Sequence, residues 1–183
     1  FYERVVTEGI APPIDIASQC NVQFHCSPAV RREDSGDYTI SAVTATASFR
    51  FAKYLEPMFA QHGLKAVIGK GGMAPEIYRE NFQPHGAVYL STLGYGLGAS
   101  YGRSIVRVED VHWADELGMA QAMWIIRVRD FGPLIVDGDA QGRSLQANML
   151  AQIRPTFHAL RNRYPEPTLK RAGEVGDPID QVV

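Results

Sequence analysis

The chain has 183 residues, of which 45% are hydrophobic and 21% are charged. This composition is ordinary for a globular domain with a buried core, and it excludes a disordered chain, a collagen-like fibre and a coiled coil. The formal net charge is −2 and the pI is about 6.2, so charge gives no reason to expect nucleic acid or an anionic membrane as a partner.

The predicted elements begin with two strands. The chain starts at Phe1 without a charged and apolar leader, so we expect a trimmed start and a cytoplasmic domain. Alternating residues predict a strand over 21–26, and residues 36–43 predict its partner strand after a polar turn at 31–36. The first region therefore predicts a β-hairpin.

A helix, a strand and a second helix follow. Apolar residues recur at helical spacing over 51–62, and Gly63 suits a left-handed C-cap. Residues 64–68 predict a short strand that runs into a glycine-rich turn. Pro75 then favours the first turn of a helix over 75–82.

The C-terminal half predicts more strands and one long helix. Short apolar runs that suit strands occur at 87–90, 105–108, 124–128 and 134–136. A helix is predicted over 144–161 with an interruption near Pro155, and the tail from Tyr164, rich in Pro and Gly, is predicted to be extended. Alternating strands and helices favour an α/β layer fold with some parallel pairing. No apolar run approaches the ~18 residues that span a bilayer.

A second glycine-rich turn contains Gly94, Gly96 and Gly98. This spacing does not match the Gly-x-Gly-x-x-Gly pattern of dinucleotide-binding turns. We expect instead that these glycines let the backbone approach a partner or a substrate closely.

The turn after the strand at 64–68 is a candidate anion site. Lys70 stands among glycines whose backbone N–H groups are free, an arrangement that suits a carboxylate or a phosphate. It is not a Walker A loop, because Met73 and Ala74 follow the glycines. An ordinary tight turn with a solvated lysine remains an equal alternative.

The segment 44–50 is a second candidate. Thr46 or Ser48 could cap the following helix, which is the commonest role of such hydroxyls. Alternatively, Arg50 could bind a carboxylate in bidentate fashion while a hydroxyl reaches the reacting carbon.

The remaining polar residues predict no metal site. The five histidines show no metal-ligand spacing. Cys20 and Cys26 are too few for a disulfide scaffold or for an iron–sulfur cluster, which needs three or four thiolates. Asp137 and Asp139 follow a predicted strand, where a turn explains both without a catalytic role.

The chain resembles a known enzyme family from about Phe24 to Leu145. The resemblance is carried, in order, by GKGGM, HGAVYLSTLG and DELGMAQAMWIIRVRDFGPLIVDGDAQGRSL, and FHCSPAVRR and SAVTATASFRF are similar to two further family segments. The family is the β subunit of the iron–sulfur hydro-lyases that include class I fumarase and L-tartrate dehydratase. In single-chain fumarases the same unit is the C-terminal domain.

This resemblance implies a swivelling β/β/α domain with a mixed sheet and glycine-rich βα turns. The domain would span residues 1–163, followed by an extended tail at 164–183. The family's Arg-Asp-x-Ala-His segment is expected just before Phe1, so the N-terminal part of the domain is expected to be missing.

The resemblance also implies an activity and a partner. The expected enzyme adds or removes water across a small dicarboxylic hydroxy acid, such as malate or tartrate, and works only with an α subunit or domain. That partner would hold a [4Fe–4S] cluster with three cysteines, and this chain would bind no metal itself. The expected assembly is α2β2 or a homodimer-type arrangement, with no nucleic acid and no membrane.

Three residues keep the spacing of the family's site. Thr46 stands four residues before Arg50, and Lys70 stands twenty residues after it. The resemblance implies that Thr46 is the base that removes a proton next to the substrate carboxylate, and that Arg50 and Lys70 bind the dicarboxylate. Ser48 and Gly71 are further candidates for substrate contact. Because a threonine hydroxyl is a weak base, the two cations and the exclusion of water would have to lower its pKa.

The alternative is a non-catalytic swivelling domain that binds a carboxylate ligand or a protein partner. Two departures favour it: Val43-Thr44-Ala45 stands where the family has Gly-Pro before its threonine pair, and the Arg-Asp-x-Ala-His segment is absent. The retained Thr46, Arg50 and Lys70 favour the enzyme.

Overall fold

The computed structural model describes residues 1–94 and 96–164 of the chain. The chain divides into two compact units, Phe1–Ala147 and Asn148–Val183. All five candidate site residues and both hydrophobic cores described here lie in the first unit.

A four-stranded sheet forms one layer of the first unit. Its strands stand in the order β1 (Val22–Phe24), β4 (Ala66–Gly69), β5 (Val88–Thr92) and β8 (Leu134–Gly138). The first three run parallel, and β8 pairs antiparallel with β5. The predicted α/β class with mixed pairing is therefore confirmed.

The predicted partner of the strand at 36–43 is wrong. β3 (Tyr38–Ala45) pairs antiparallel with β2 (Cys26–Arg32), whereas β1 pairs parallel with β4. The reason is the turn: Glu33 N–H donates to the Asp37 carbonyl, so the residues directly before this turn form the hairpin. The residue pattern alone did not predict β2, because Pro28 and two arginines interrupt its alternation, although its residues lie in the FHCSPAVRR segment that resembles the family.

A second antiparallel hairpin packs against β3. It consists of β6 (Ile105–His112) and β7 (Met123–Val128). The smaller hydrophobic core lies between the two hairpins and is built on Ile40, Val43 and Tyr101. The two hairpins thus form a second β layer with its own core.

Two glycines bring a short helix, α4 (Gly98–Arg103), close to β3. A Cβ atom on Gly102 would lie 2.4 Å from the carbonyl oxygen of Ser41, and one on Gly98 would lie 2.8 Å from that of Val43. Of the three glycines expected to allow a close approach, Gly98 makes it to the chain's own backbone, whereas nothing lies within 4 Å of a Cβ built on Gly94 or Gly96.

The predicted helices are found beside the sheet. α2 (Ala52–His62) ends at Gly63, whose φ of +66° is the predicted left-handed cap. α3 (Pro75–Ile77) begins at Pro75, as predicted, and continues as a π-helical turn, Tyr78–Phe82. These helices and the sheet share the larger core, which includes Leu55, Met58, Phe59, Leu64, Val67, Tyr78, Phe82 and Tyr89. Two further short helices are α1 (Ile16–Gln19) and α5 (Ala114–Leu117).

The last helix has nearly its predicted bounds but is more regular than predicted. α6 (Leu145–Arg161) continues through Pro155, so the expected interruption is wrong. Proline removes one backbone hydrogen bond, but the turns on both sides of it remain helical here. The predicted tail, apart from Tyr164, lies outside the described residues. Within the described part of the chain, no helix is both long and apolar enough to cross a membrane.

Candidate active site

The two candidate segments meet where β3 and β4 end. Lys70 N–H donates to the Thr46 carbonyl at 3.1 Å, and Ser48 N–H donates to the Lys70 carbonyl at 3.3 Å. A short helical turn, Phe49–Phe51, then carries Arg50. The fold therefore brings Thr46, Arg50 and Lys70 together, although they come from separate strands and turns.

Both cations of this site are exposed and unpaired. Within residues 1–94 and 96–164, no ion pair involves Arg50 or Lys70. Arg50 Nε donates to the Ala47 carbonyl at 3.3 Å, and its guanidinium lies 5.4 Å from the centre of the Phe51 ring. Two cations without carboxylate partners, beside the half-buried Thr46, suit a dianionic ligand.

Ser48 and Gly71 differ in their access to solvent. Gly71 is exposed beside Lys70 and has a φ of +72°. Ser48 is fully buried at 0% exposure, and its hydroxyl makes no capping bond to the helical turn that follows it. The capping interpretation of Ser48 is therefore wrong, because its hydroxyl bonds elsewhere.

The Ser48 hydroxyl contacts a histidine that the sequence did not single out. Nδ1 of His25 lies 2.8 Å from Ser48 Oγ, and Nε2 lies 2.5 Å from Tyr2 Oη. His25 is 5% exposed, and burial lowers its pKa to about 4, so the ring is neutral near pH 7. No local pattern points to this cluster, since both partners lie 23 residues from His25.

A second buried network supports the turn that carries Lys70. Met73 N–H donates to Tyr78 Oη at 3.0 Å, and Tyr78 Oη donates to Asp137 Oδ2 at 2.6 Å. The other Asp137 oxygen accepts the Gln146 N–H at 2.9 Å. Burial and the Asp137 bond raise the pKa of Tyr78, so this phenol stays a neutral donor. The turn interpretation is sufficient for Asp139, whose carboxylate accepts two backbone N–H groups of the turn. It is not sufficient for Asp137, whose carboxylate also joins the sheet to Tyr78 and to the start of α6.

A cleft of about 680 Å³ opens beside the site. Its lining includes Thr46, Arg50 and His25, together with residues 120–126. Its volume is typical of a small-molecule site.

The amino-acid sequence of the chain is similar to those of known proteins. Residues 3–149 match the family described as Fumarase C-terminus. The chain is 37% identical over 125 residues to the L(+)-tartrate dehydratase subunit beta of Escherichia coli K12, which covers 68% of this chain and 60% of that protein. A Methanocaldococcus jannaschii protein provisionally named L(+)-tartrate dehydratase subunit beta is 34% identical over 140 residues, 76% of this chain and 70% of that one.

The chain belongs to the fumarase C-terminus family. The resemblance seen in its sequence is confirmed. A Geobacillus stearothermophilus protein, provisionally named fumarate hydratase class I, is 34% identical over 137 residues, 75% of this chain but 26% of that protein. This member of the family therefore spans between 26% and 70% of the length of these curated relatives, and their names support a hydro-lyase β subunit.

The cysteines of this family member do not fit an iron–sulfur cluster. Cys20 and Cys26 supply two thiols, and burial raises the pKa of Cys26 to about 12, which disfavours the thiolate that iron needs. In the described part of the chain, no three His, Cys, Asp or Glu side chains form a possible metal site. A cluster would need ligands beyond these residues.

Gly69→Ala is expected to lower the free energy of unfolding by about 1–3 kcal/mol. A Cβ at Gly69 would lie 1.8 Å from Ser48 Oγ and 2.8 Å from Tyr89 Oη, and both groups are enclosed. Urea unfolding measures the change. The control is Gly94→Ala, where nothing lies within 4 Å of the added methyl group. Equal stability of the two variants would contradict the tight packing around Ser48.

Proposed function

We propose that this chain is the β subunit, or the equivalent C-terminal domain, of a [4Fe–4S]-dependent hydro-lyase. The reaction would hydrate or dehydrate a small dicarboxylic hydroxy acid of the malate or tartrate type. The observation that carries the proposal is the pair of unpaired cations beside Thr46: Arg50, which lines the cleft with Thr46, and Lys70, whose backbone bonds to Thr46 and Ser48. The named relatives supply the type of reaction.

The proposed enzyme requires a second subunit or domain. The tartrate dehydratase relatives are named as β subunits, which supports an α partner, and we propose that this partner holds the cluster. The proposed assembly is α2β2 or a homodimer-type arrangement in the cytoplasm. We also propose that the chain swivels against its partner, which would open and close the site between them.

Each residue of the site has a proposed role that follows from its chemistry. The Arg50 guanidinium would bind one carboxylate in bidentate fashion, and the Lys70 ammonium would bind as a compact charge. Thr46 Oγ, deprotonated near these cations, would take the proton from the carbon next to that carboxylate. The electron pair left on carbon would delocalise into the carboxylate, stabilised by the same cations, and then form the double bond as hydroxide leaves.

Ser48 and Gly71 take different proposed roles because they differ in exposure. Gly71 lies exposed beside Lys70, so we keep it as a proposed substrate contact. The Ser48 hydroxyl is enclosed and bonded to His25, so its proposed contribution to substrate binding is to support the turn that holds Thr46 and Arg50.

Anaerobic reconstitution tests the proposed function. The chain is co-expressed with a cluster-bearing α subunit, the cluster is reconstituted, and turnover of fumarate and of L-tartrate is measured. We expect turnover that is lost in oxygen. A complex with an intact cluster that binds dicarboxylates without turnover would overturn the enzyme and favour a carboxylate-binding domain.

Lys70→Ala is expected to raise KM for the dicarboxylate by about 10- to 100-fold with a smaller change in kcat. Lys70 is exposed and unpaired, so its removal takes away a contact to the substrate charge without leaving a buried group unsatisfied. Steady-state kinetics of the assembled enzyme measure both constants. Lys65→Ala is the control, because Lys65 is equally exposed but donates to the His85 carbonyl. An unchanged KM would remove Lys70 from the site.

A further inference from the structure

The hydrogen bonds of Tyr2 determine which nitrogen of His25 carries the proton. A phenol has a single hydroxyl proton, and Tyr2 Oη donates it to Oε1 of Gln23 at 2.9 Å. At its contact with His25, Tyr2 Oη is therefore the acceptor and Nε2–H is the donor. A neutral imidazole has one N–H group, so Nδ1 is left as an acceptor.

Nδ1 of His25 then receives the Ser48 hydroxyl proton. Two other acceptors lie near that hydroxyl. The Thr46 carbonyl is 3.5 Å away, a much longer contact than the 2.8 Å to Nδ1, and Tyr89 Oη has no hydrogen-bond partner in the described part of the chain. Because Ser48 is fully buried, water cannot replace Nδ1 as its acceptor. The orientation of Ser48 therefore depends on the protonated nitrogen of a residue that is distant in sequence.

His25 also holds the site through its backbone. Its N–H donates to the Ile68 carbonyl at 2.8 Å, and its own carbonyl accepts the Thr46 N–H at 2.7 Å. The Lys70 backbone bonds to both Thr46 and Ser48. One residue thus contacts both ends of the segment 46–48, by its backbone at Thr46 and by its ring at Ser48.

We propose that His25 is a positioning residue of the site. As the Nε2–H tautomer, fixed by Tyr2, it holds the Ser48 hydroxyl and so fixes the segment that carries Thr46 and Arg50. The proposal rests on the proposed function only in regarding Thr46 and Arg50 as the residues that face the substrate.

The first test is the tautomer itself, measured by NMR on the full 183-residue chain labelled with ¹⁵N. Long-range ¹H–¹⁵N correlations distinguish a protonated Nε2 from a protonated Nδ1. At pH 7 we expect His25 to show a protonated Nε2 and an unprotonated Nδ1. The opposite tautomer, or a mixture of the two, would overturn the proposal whether or not the chain proves to be a hydro-lyase subunit.

The second test compares two substitutions that keep different halves of the imidazole. His25→Asn places an oxygen near the position of Nδ1 and can still accept the Ser48 hydroxyl. His25→Gln instead places its amide near the position of Nε2 and leaves Ser48 without its acceptor. We expect His25→Gln to speed amide hydrogen exchange at Ser48 and Lys70 at least tenfold, and His25→Asn to keep it within about threefold of the wild type.

A remote amide separates local loosening from general instability. The Tyr101 N–H, which donates to the Leu97 carbonyl in the smaller core, is expected to exchange at an unchanged rate in both variants. Equal exchange in His25→Asn and His25→Gln would show that His25 only fills space. In the assembled enzyme we expect His25→Gln to lower kcat about tenfold and His25→Asn to restore most of it. If His25→Gln does not fold, the proposal is still tested by the tautomer of the wild-type chain and by amide exchange in His25→Asn.

Discussion

Thr46→Ala is expected to lower kcat about 10²- to 10⁴-fold while KM stays within a few-fold, the usual size of a lost acid–base group. Thr46 is half-buried at the end of β3, and its backbone is held by His25 on one side and by Lys70 on the other. The substitution removes the hydroxyl and the γ-methyl group but no charge, so the cations proposed to bind the substrate are expected to stay in place. Steady-state kinetics of the assembled enzyme on the better of fumarate and L-tartrate measure the effect.

The chain contains a matched control for this prediction. Thr44 lies two residues earlier on β3, is exposed, and pairs across the hairpin with Ser27. Thr44→Ala removes the same atoms two residues earlier, within β3, and is expected to keep kcat within about twofold. A similar loss in both variants would mean that the strand is sensitive to substitution, and an unaltered kcat in Thr46→Ala would remove Thr46 as the base.

Asp137→Ala is expected to lower the free energy of unfolding by about 2–5 kcal/mol, because it leaves two donors without acceptors at about 1–3 kcal/mol each. The donors are the buried Tyr78 hydroxyl and the Gln146 N–H. A Cβ at Gly72 would lie only 2.6 Å from Asp137 Oδ2, so the carboxylate also packs directly against the turn of Lys70. We therefore expect KM for the dicarboxylate to rise as well.

Urea unfolding and steady-state kinetics together test this prediction. Asp34→Ala is the control, since Asp34 is an exposed carboxylate in the β2–β3 turn and is expected to change stability by less than about 0.5 kcal/mol. Tyr78→Phe should cost less than Asp137→Ala, because it removes one hydroxyl and keeps the ring in the core. Comparable stability of Asp137→Ala and the wild type would mean that the network holds nothing in place.

Local sequence patterns predicted helices, because the spacing of apolar residues and the residues at helix ends lie within a short stretch of chain. The helix over 52–62 follows from its apolar spacing and from Gly63, and the start of the next helix follows from Pro75. Pairing between strands could not be predicted in the same way. Residues 22–24 alternate as a hairpin strand does, yet they join the parallel sheet, because the tight turn at 33–37 selects the residues directly before it.

The candidate site divides in the same way. Thr46, Arg50 and Lys70 were found from their spacing and from the resemblance to a family, and the structure places their segments side by side. The hydrogen bonds that support these segments were not predicted from the sequence, because they join distant residues. The bonds of His25 to Tyr2 and to Ser48 each span 23 residues, and the bond of Tyr78 to Asp137 spans 59.

Residue types and their order along the chain were enough to predict the family, the α/β class and the cationic residues proposed to bind a dianion. The charge of a cationic side chain and the backbone freedom of glycine can be recognised from the sequence alone. Only the fold shows that Ser48 is enclosed, that Gly98 and Gly102 pack against the chain's own backbone, and which buried groups bond to the candidate site. Burial and hydrogen-bond partners depend on which distant segments come into contact. Those contacts cannot be derived from the order of residues in a single sequence.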